Sequence, residues 1–259
     1  MKKYLLHLSI LSTLFIGLNS NGIGQNRKLK FGIAAGPSIN WLTTKTEGLE
    51  SENTSISFNY GLYADFRLNG NENYFVSSGI QIQNFNFTLK YPGAVLNSAG
   101  MVTESQVENN LTLNYLEFPI GLKLRSDEIG YSHIAGWFGF GTGFRINSAQ
   151  NTSTNFIDIV GVSISETETL NEATNFTKAA KLSLKIGGEW ERKITSETFF
   201  VIGVTYENGL TNLLKGDSFE VDTNTGKVDL SKTNTALSKT GEVYKALQRS
   251  IVIHLGVYF

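Results

Sequence analysis

The chain has 259 residues, a formal net charge of −1 and no cysteine. The near-zero charge provides no basic field for nucleic acid, so DNA and RNA are not expected partners. The lack of cysteine excludes disulfide frameworks and Cys-based metal sites. With 41% hydrophobic and 12% aromatic residues, and 26 Gly against 3 Pro, the composition suits one large strand-rich domain.

Residues 1–24 have the pattern of a cleaved export signal. Two lysines precede an apolar run, and Gly22 and Gly24 occupy the small-residue positions before a cleavage site. The alternative is a permanent anchor, but the run is shorter than the roughly 20 residues that a spanning helix needs. We therefore predict a signal peptide over residues 1–24 and one mature domain over residues 25–259.

Beyond residue 25, eight segments alternate apolar and polar with period two, the pattern of β-strands with two unlike faces. Each has a regular core of about 10 residues, the length that a tilted strand needs to cross a bilayer. The segments are 29–42, 58–68, 74–89, 116–125, 134–146, 181–191, 199–210 and 250–259. We therefore predict an all-β fold, an eight-stranded antiparallel up-and-down transmembrane β-barrel.

The apolar residues change phase in two of these segments. The change falls near Asn84 in the third segment and at Tyr115–Leu116 in the fourth, where the apolar register slips by one residue. A β-bulge inserts one extra residue and has this effect on the pattern. We interpret both positions as bulges near one membrane boundary.

The connections between segments alternate in length. Short polar turns lie around residues 69–71, 126–128 and 193–196, whereas the other connections are long and rich in Thr, Ser, Asn, Glu and Gly. Bacterial barrels have short periplasmic turns and long outer loops. The pattern predicts that both termini are periplasmic, and that residues 159–165 and 243–247 extend hairpins outside the membrane.

The distribution of charge favours lipid outside the barrel. A soluble barrel also alternates, but its apolar face points inward. Here the apolar faces are large, aromatic and almost free of charge, while the opposite faces combine charges with Gly and Ser, as a narrow lumen requires. Because an unpaired buried charge costs several kcal/mol, we expect these charges to pair. The predicted lumen network is Asp65, Arg67, Glu117, Lys123, Arg125, Lys181, Lys185, Glu189 and Glu191.

Aromatic residues near the segment ends suggest two interfacial girdles. The alternative is ordinary aromatic packing in the core of a soluble sheet protein. The candidates are Phe31, Phe66, Tyr74, Trp190 and Phe259 on the short-turn side, and Trp41, Phe58, Tyr60, Tyr115 and Phe144 on the long-loop side.

No residue pattern predicts catalysis, a cofactor or a metal site. Ser250 and His254 share a strand face but are four residues apart, roughly 13 Å at the usual rise. That separation is too large for a nucleophile and its base. The glycines of residues 139–143 superficially resemble a nucleotide loop, yet no helical pattern follows them. Acidic residues in the long loops lack the spacing of a calcium loop.

Three stretches of the chain resemble the PorT-like family of outer-membrane β-barrels from Bacteroidetes. They are Phe31–Gly36, Tyr115–Lys123 with its Tyr-Leu-Glu-Phe-Pro motif, and the final Leu255–Phe259. The resemblance implies a location in the outer membrane of a Gram-negative bacterium, in contact with its lipid. It also implies that the assembly machinery reads Phe259 as a signal. The named member of the family takes part in protein secretion across the outer membrane.

The sequence leaves three functional hypotheses. The first is a non-enzymatic barrel whose long loops bind envelope or secretion proteins. The second is a small pore or transporter for small solutes, which fits a polar inward face. The third is a membrane-embedded lipid-modifying hydrolase, which would require a Ser/His site assembled between strands.

Overall fold

The computed structural model describes residues 29–52, 54–68, 72–96, 99, 101–157, 160–170, 176–215 and 244–259. Within these ranges no helix is long and apolar enough to span a membrane. The predicted signal peptide and the turn at 69–71 lie outside them, as do Ile159 and Val243. The strands are β1 (Leu29–Thr44), β2 (Glu50–Glu52), β3 (Ser55–Arg67), β4 (Tyr74–Leu96), β5 (Val102–Arg125), β6 (Ser132–Ile157), β7 (Ser163–Leu170), β8 (Ala180–Lys193), β9 (Phe199–Gly209) and β10 (Ala246–Tyr258).

Eight of these strands close into one antiparallel ring. Their order is β1–β3–β4–β5–β6–β8–β9–β10, and β10 pairs back with β1. Ring neighbours thus follow one another along the chain, which is up-and-down topology. The predicted eight-stranded transmembrane barrel is confirmed. Two further strands lie outside the ring, because β2 pairs with β4 and β7 pairs with β6.

The ring has a short-turn end and a long-loop end. At the short-turn end, β5 and β6 are joined by a tight hairpin in which Gly130 and Tyr131 have φ of 56° and 63°. Two successive positive φ values are typical of a type I′ turn, whose twist matches that of the flanking strands. The tip of this turn therefore lies just after residues 126–128, where the sequence predicted the turn. Both β2 and β7 lie towards the long-loop end.

Large apolar side chains point outward around the ring. Ile33, Leu62, Ile120, Phe138 and Leu255 are each 50–57% exposed, although such residues are normally buried in a soluble protein. Within the ring, most charged residues of the same strands point inward; Lys123 and Glu117 are at most 1% exposed. This arrangement is the reverse of a soluble barrel and gives the ring an apolar belt for lipid.

The interior changes from polar to apolar at one level of the barrel. On four ring strands a polar inward residue is followed, two positions nearer the long-loop end, by an apolar one. The pairs are Asn40 and Leu42 on β1, Gln83 and Phe85 on β4, Glu117 and Tyr115 on β5, and Gln248 and Ala246 on β10. The outward face changes in the opposite sense, from apolar to polar; on β5 Phe118 is followed by Asn114 and Thr112.

Beyond this level lies a part of the molecule that we call the extension. It comprises residues 84–96 of β4, 102–114 of β5 and 147–157 of β6, together with β2 and β7. On β4 and β5 its inward face is largely apolar and its outward face is polar, as in a soluble protein. The two parts share continuous strands, since β4, β5 and β6 have 23, 24 and 26 residues.

The predicted bulge near Asn84 is wrong. The β4–β5 pairing runs from Tyr74–Leu124 to Leu96–Val102 in one register, so the change of phase is an exchange of polarity between two faces. At Tyr115 the β5–β6 register does shift, and the extra residue is Ile146 on β6. Tyr115 is fully buried, so it belongs to the core and not to a girdle of exposed aromatics.

An apolar cluster fills the barrel just beyond the level of the change. The Phe85 ring lies 5.8 Å from that of Phe87 and 6.1 Å from that of Tyr115. Burying each such side chain contributes about 1.5–3 kcal/mol, so the cluster forms an apolar core that the extension shares with the long-loop end of the ring. Its members are Leu42, Leu49, Phe85, Phe87, Leu89, Leu111, Leu113, Tyr115, Leu213, Leu214, Tyr244 and Ala246.

Candidate functional site

The lumen below the apolar cluster contains two groups of paired charges. The first, the lower group, is centred on Lys123. Its Nζ lies 3.0 Å from Asp65, 2.6 Å from Glu189 and 2.7 Å from Glu191. Arg125 reaches Glu191 at 3.4 Å. One lysine therefore joins β3, β5 and β8 across the barrel.

The second, the upper group, is centred on Glu117. This carboxylate pairs with Lys181 at 2.6 Å and also with Lys185, whose Nζ lies 2.6 Å from Glu207. Neutral amides complete the group, because Gln81 donates to Glu117 at 2.6 Å and Gln83 donates to Glu207 at 2.7 Å. With two carboxylates and two ammonium groups, the upper group has no net formal charge.

Glycines on β6, the strand between β5 and β8, make room for these side chains. A Cβ at Gly141 would lie 2.5 Å from a Glu117 oxygen and 2.7 Å from Lys185. A Cβ at Gly143 would lie 2.8 Å from Lys181. Both distances are below van der Waals contact, so a larger residue at either position would displace the ion pairs. The glycines of residues 139–143 therefore have a packing role in β6.

Sequence reasoning missed several members of the upper group. Glu207 lies on the inward face of β9, in line with Gly203 and Thr205, and the alternation of that segment could have identified it. Gln81, Gln83 and Gln248 are neutral, so a search for charges could not find them. Of the predicted residues, Arg67 lies apart from both groups, with its guanidinium 3.5 Å from Glu72 at the short-turn rim.

Ser250 and His254 have separate partners. Gln248 donates to the Ser250 hydroxyl at 2.5 Å, and His254 Nε2 lies 3.4 Å from Glu189. A small cavity of about 50 Å³ beside His254 has room for a few water molecules at most. Among the described residues, no three His, Asp or Glu side chains form a group that could hold a metal ion.

The lumen is filled by side chains at the level of the upper group. Glu117, Gln83, Gln248, Glu207, Lys181 and Lys185 are each at most 3% exposed. A water-filled channel would leave such side chains accessible to solvent. An eight-stranded barrel has an interior just wide enough to be filled in this way, and the apolar cluster adds a second layer above it.

The terminal residue lies in the wall of the barrel. Phe259 donates its N–H to the Phe31 carbonyl at 2.8 Å and accepts from the Phe31 N–H at 2.9 Å. Its ring is 40% exposed on the apolar outer face. The last strand is thus closed against the first up to the final residue.

The outward face of the extension is a regular polar surface. One row runs across four strands through Thr88, Asn110, Asn151 and Thr169, which are directly paired. The Thr88 hydroxyl donates to Asn110 at 2.6 Å. The outward residues are Asn86, Thr88, Lys90, Glu108, Asn110, Thr112, Asn147, Asn151, Ser153, Asn155, Ser163, Ser165, Thr167 and Thr169.

Lys90 connects the charged residues of this surface. Its Nζ lies 2.7 Å from Glu52 on β2 and 3.6 Å from Glu108 on β5. The hydrogen bond that Lys90 donates to Glu52 raises the pKa of Lys90 above its usual value. This ion pair attaches the short strand β2 to the side of β4.

Several solved structures from other bacteria are similar to this chain. Solved structures with a similar arrangement include Ail of Yersinia pestis, with 14% identity and a TM-score of 0.37 over 90% of this chain and 100% of that one. OprG of Pseudomonas aeruginosa has 10% identity and a TM-score of 0.36, covering 92% and 99%. The protease OmpT of Escherichia coli has 9% identity and a TM-score of 0.36, covering 93% and 99%.

The curated protein sequences contain no match to the chain. The family described as "Outer membrane protein beta-barrel domain" matches residues 19–215, which is most of the chain. The chain therefore belongs to this outer-membrane β-barrel family.

Proposed function

We propose that this protein is a non-conducting, non-enzymatic barrel of a Gram-negative outer membrane that presents the extension as a binding surface for other envelope or secretion proteins. The observation that carries the proposal is the reversal of polarity along β4 and β5. A strand whose outward face is polar and whose inward face is apolar is built for water, so these residues extend beyond the lipid.

The orientation follows from the connections. Short turns face the periplasm in bacterial barrels and long loops face outward, so the extension lies on the cell surface and both termini are periplasmic. The resemblance of residues 115–123 to the PorT-like family supports a role as an accessory to secretion or envelope assembly. Lipid and the assembly machinery, through Phe259, are the remaining partners.

The orientation can be tested with single cysteines, because the chain has none. Thr167→Cys lies on β7 of the extension and Ser196→Cys in the turn between β8 and β9. In intact cells, a membrane-impermeant maleimide should label only Thr167→Cys, and Ser196→Cys should react only after the outer membrane is permeabilised. The reverse pattern would overturn the orientation.

The binding function needs two further measurements. Purified protein in planar bilayers should give no stepwise currents, because the lumen is filled; robust currents would favour the pore instead. A photo-crosslinking residue at Thr112, outward on the extension, should give discrete protein adducts in intact cells. The matched position Ile120 lies on the same face of the same strand, within the apolar belt, and should give none. Absence of adducts from Thr112 and from Thr167 would refute the binding function.

A further inference from the structure

Strand β7 has one edge that no other strand in the described parts of the chain covers. It pairs with β6 in one regular register, from Gln150–Leu170 to Ile157–Ser163, and has no second neighbour among the described strands. Seven of its eight residues are exposed. In an antiparallel pair about half the residues direct N–H and C=O away from the partner strand. About four residues of β7 thus offer unpaired backbone groups to solvent.

This edge has only one of the features that protect edge strands. Natural sheets prevent pairing with other chains by charged side chains, proline, bulges or very short strands at their edges. The sequence of β7, Ser-Ile-Ser-Glu-Thr-Glu-Thr-Leu, has no proline and its register is unbroken. Its only charges are two glutamates, which oppose an acidic strand but not a basic one. It also contains no glycine, and threonine favours extended backbone. The edge is therefore preformed for an added strand.

The charge of β7 indicates what kind of strand would bind. Glu166 and Glu168 lie on the same face as Ile164, opposite Thr154 and Thr152 of β6. Neither carboxylate has a cationic partner in the part of the chain that the structure describes. Opposite charges on neighbouring strands stabilise their pairing, and like charges oppose it. The edge therefore favours a segment with Lys or Arg at alternate positions.

A second copy of the chain fits this edge poorly. Two copies in one membrane are related by an axis along the membrane normal, which brings equivalent strands together in parallel. The same rotation turns the sheet over, so the face that carries Glu166 and Glu168 in one copy would continue as the face that carries Ser165 and Thr167 in the other. The inward face of one extension would thus join the outward face of the other.

We propose that the free edge of β7 binds an extended, basic peptide segment of a partner protein as an additional β-strand. The inference rests on the proposed function, since it requires the extension to be outside the membrane. Backbone hydrogen bonds supply affinity in this mode, and the alternate side chains supply specificity.

The test uses the purified full-length protein in detergent and a labelled eight-residue peptide of alternating Thr and Lys. We expect binding that weakens at least tenfold in the double variant Glu166→Lys, Glu168→Lys. The matched control reverses two other exposed carboxylates near the same end, Glu47→Lys and Glu50→Lys, and should change affinity less than twofold. An equal affinity of the β7 variant and the native protein would overturn the proposal.

A second peptide separates strand addition from attraction by charge alone. The same sequence, N-methylated at its four central backbone nitrogens, keeps its lysines and loses its backbone donors. We expect it not to bind, and we expect the unmodified peptide to slow hydrogen exchange across residues 163–170. Equal binding of both peptides would overturn the proposal. So would β7 amides that, without peptide, exchange as slowly as those of β6, because the edge would then already be covered by residues 216–243 or a second copy.

These measurements are independent of the surface labelling and the bilayer recordings. Peptide binding at β7 does not depend on which side of the membrane the extension occupies. A failure here would leave the proposed surface function intact, with its partner elsewhere on the extension.

Discussion

The transmembrane ring and the extension use the same strands with opposite chemistry. In the ring, β5 directs Glu117 and Lys123 inward and Ile120 outward; in the extension it directs Leu113 inward and Thr112 outward. The alternation of inward and outward residues along β5 continues without a break between the two parts. A strand therefore has two independent properties. One is which of its residues point into the barrel, and the other is whether each of its faces meets lipid, water or the protein interior.

The largest effect is expected from removing the centre of the upper group. Glu117→Ala leaves Lys181 and Lys185 with fewer partners in a filled lumen, and breaking a buried pair costs about 3–5 kcal/mol. Urea unfolding of the protein in lipid vesicles measures this loss. Glu166→Ala, at an exposed position of β7, is the control and should change the free energy of unfolding by less than about 0.5 kcal/mol. A cost below about 1 kcal/mol for Glu117→Ala would show that the interior of the ring does not depend on its ion pairs.

The apolar cluster should respond to loss of volume rather than of charge. Leu113 is fully buried, and Leu113→Ala should cost about 2–5 kcal/mol through lost burial and the cavity that remains. Hydrogen exchange should show faster opening of the extension, with the lower part of β5 unchanged. Uniform acceleration along all of β5 would mean that ring and extension unfold as one unit.

The boundary between the two parts can be located by placing the same charge on both sides of it. Ile120→Arg puts a guanidinium into the apolar belt and should cost about 2–4 kcal/mol near the bilayer midplane. Thr112→Arg lies eight residues away on the same outward face and should cost less than about 1 kcal/mol. Unfolding in vesicles gives both values. Equal costs would contradict a lipid boundary between these residues.

The smallest expected effect is a loss of stability of the extension at alkaline pH. Burial raises the pKa of Tyr91 to about 12, whereas an unfolded tyrosine titrates near 10. The stabilising contribution of the neutral phenol is complete below pH 10 and is lost as the pH rises towards 12, by about 2–3 kcal/mol. The free energy of unfolding of the native protein and of Tyr91→Phe, measured across this pH range, isolates the contribution of Tyr91. The same alkaline loss in both proteins would exclude Tyr91 as its source.

The number of ring strands could be predicted because each needs an apolar face for lipid, and period-two alternation reports that face directly. The exchange of polarity near Asn84 could not be distinguished from a bulge, since either one moves the apolar residues by one position. The apolar residues of β5 move at Tyr115 through the same exchange of polarity, and the register shift that coincides with it comes from Ile146 on the neighbouring strand, which the pattern of β5 could not reveal.

The added strands gave weaker signals for a physical reason. β2 has only three residues, and β7 is exposed on both faces. Without a buried face, the spacing of apolar residues contains little information about secondary structure. The sequence of residues 159–165 still suggested an extended hairpin. The neutral members of the upper group were missed because glutamine is as common on a solvated surface as in a lumen.

The continuous strands β4, β5 and β6 have a mechanical consequence. A partner that pulls on the β6–β7 hairpin applies force along β6, which is paired with β5 on one side and with β7 and β8 on the other. Hydrogen bonds between antiparallel strands run perpendicular to that direction, so the load is shared by many of them in shear instead of opening them one after another. The tether between a bound partner and the lipid is therefore stiff, and tension reaches the membrane without first unravelling the extension.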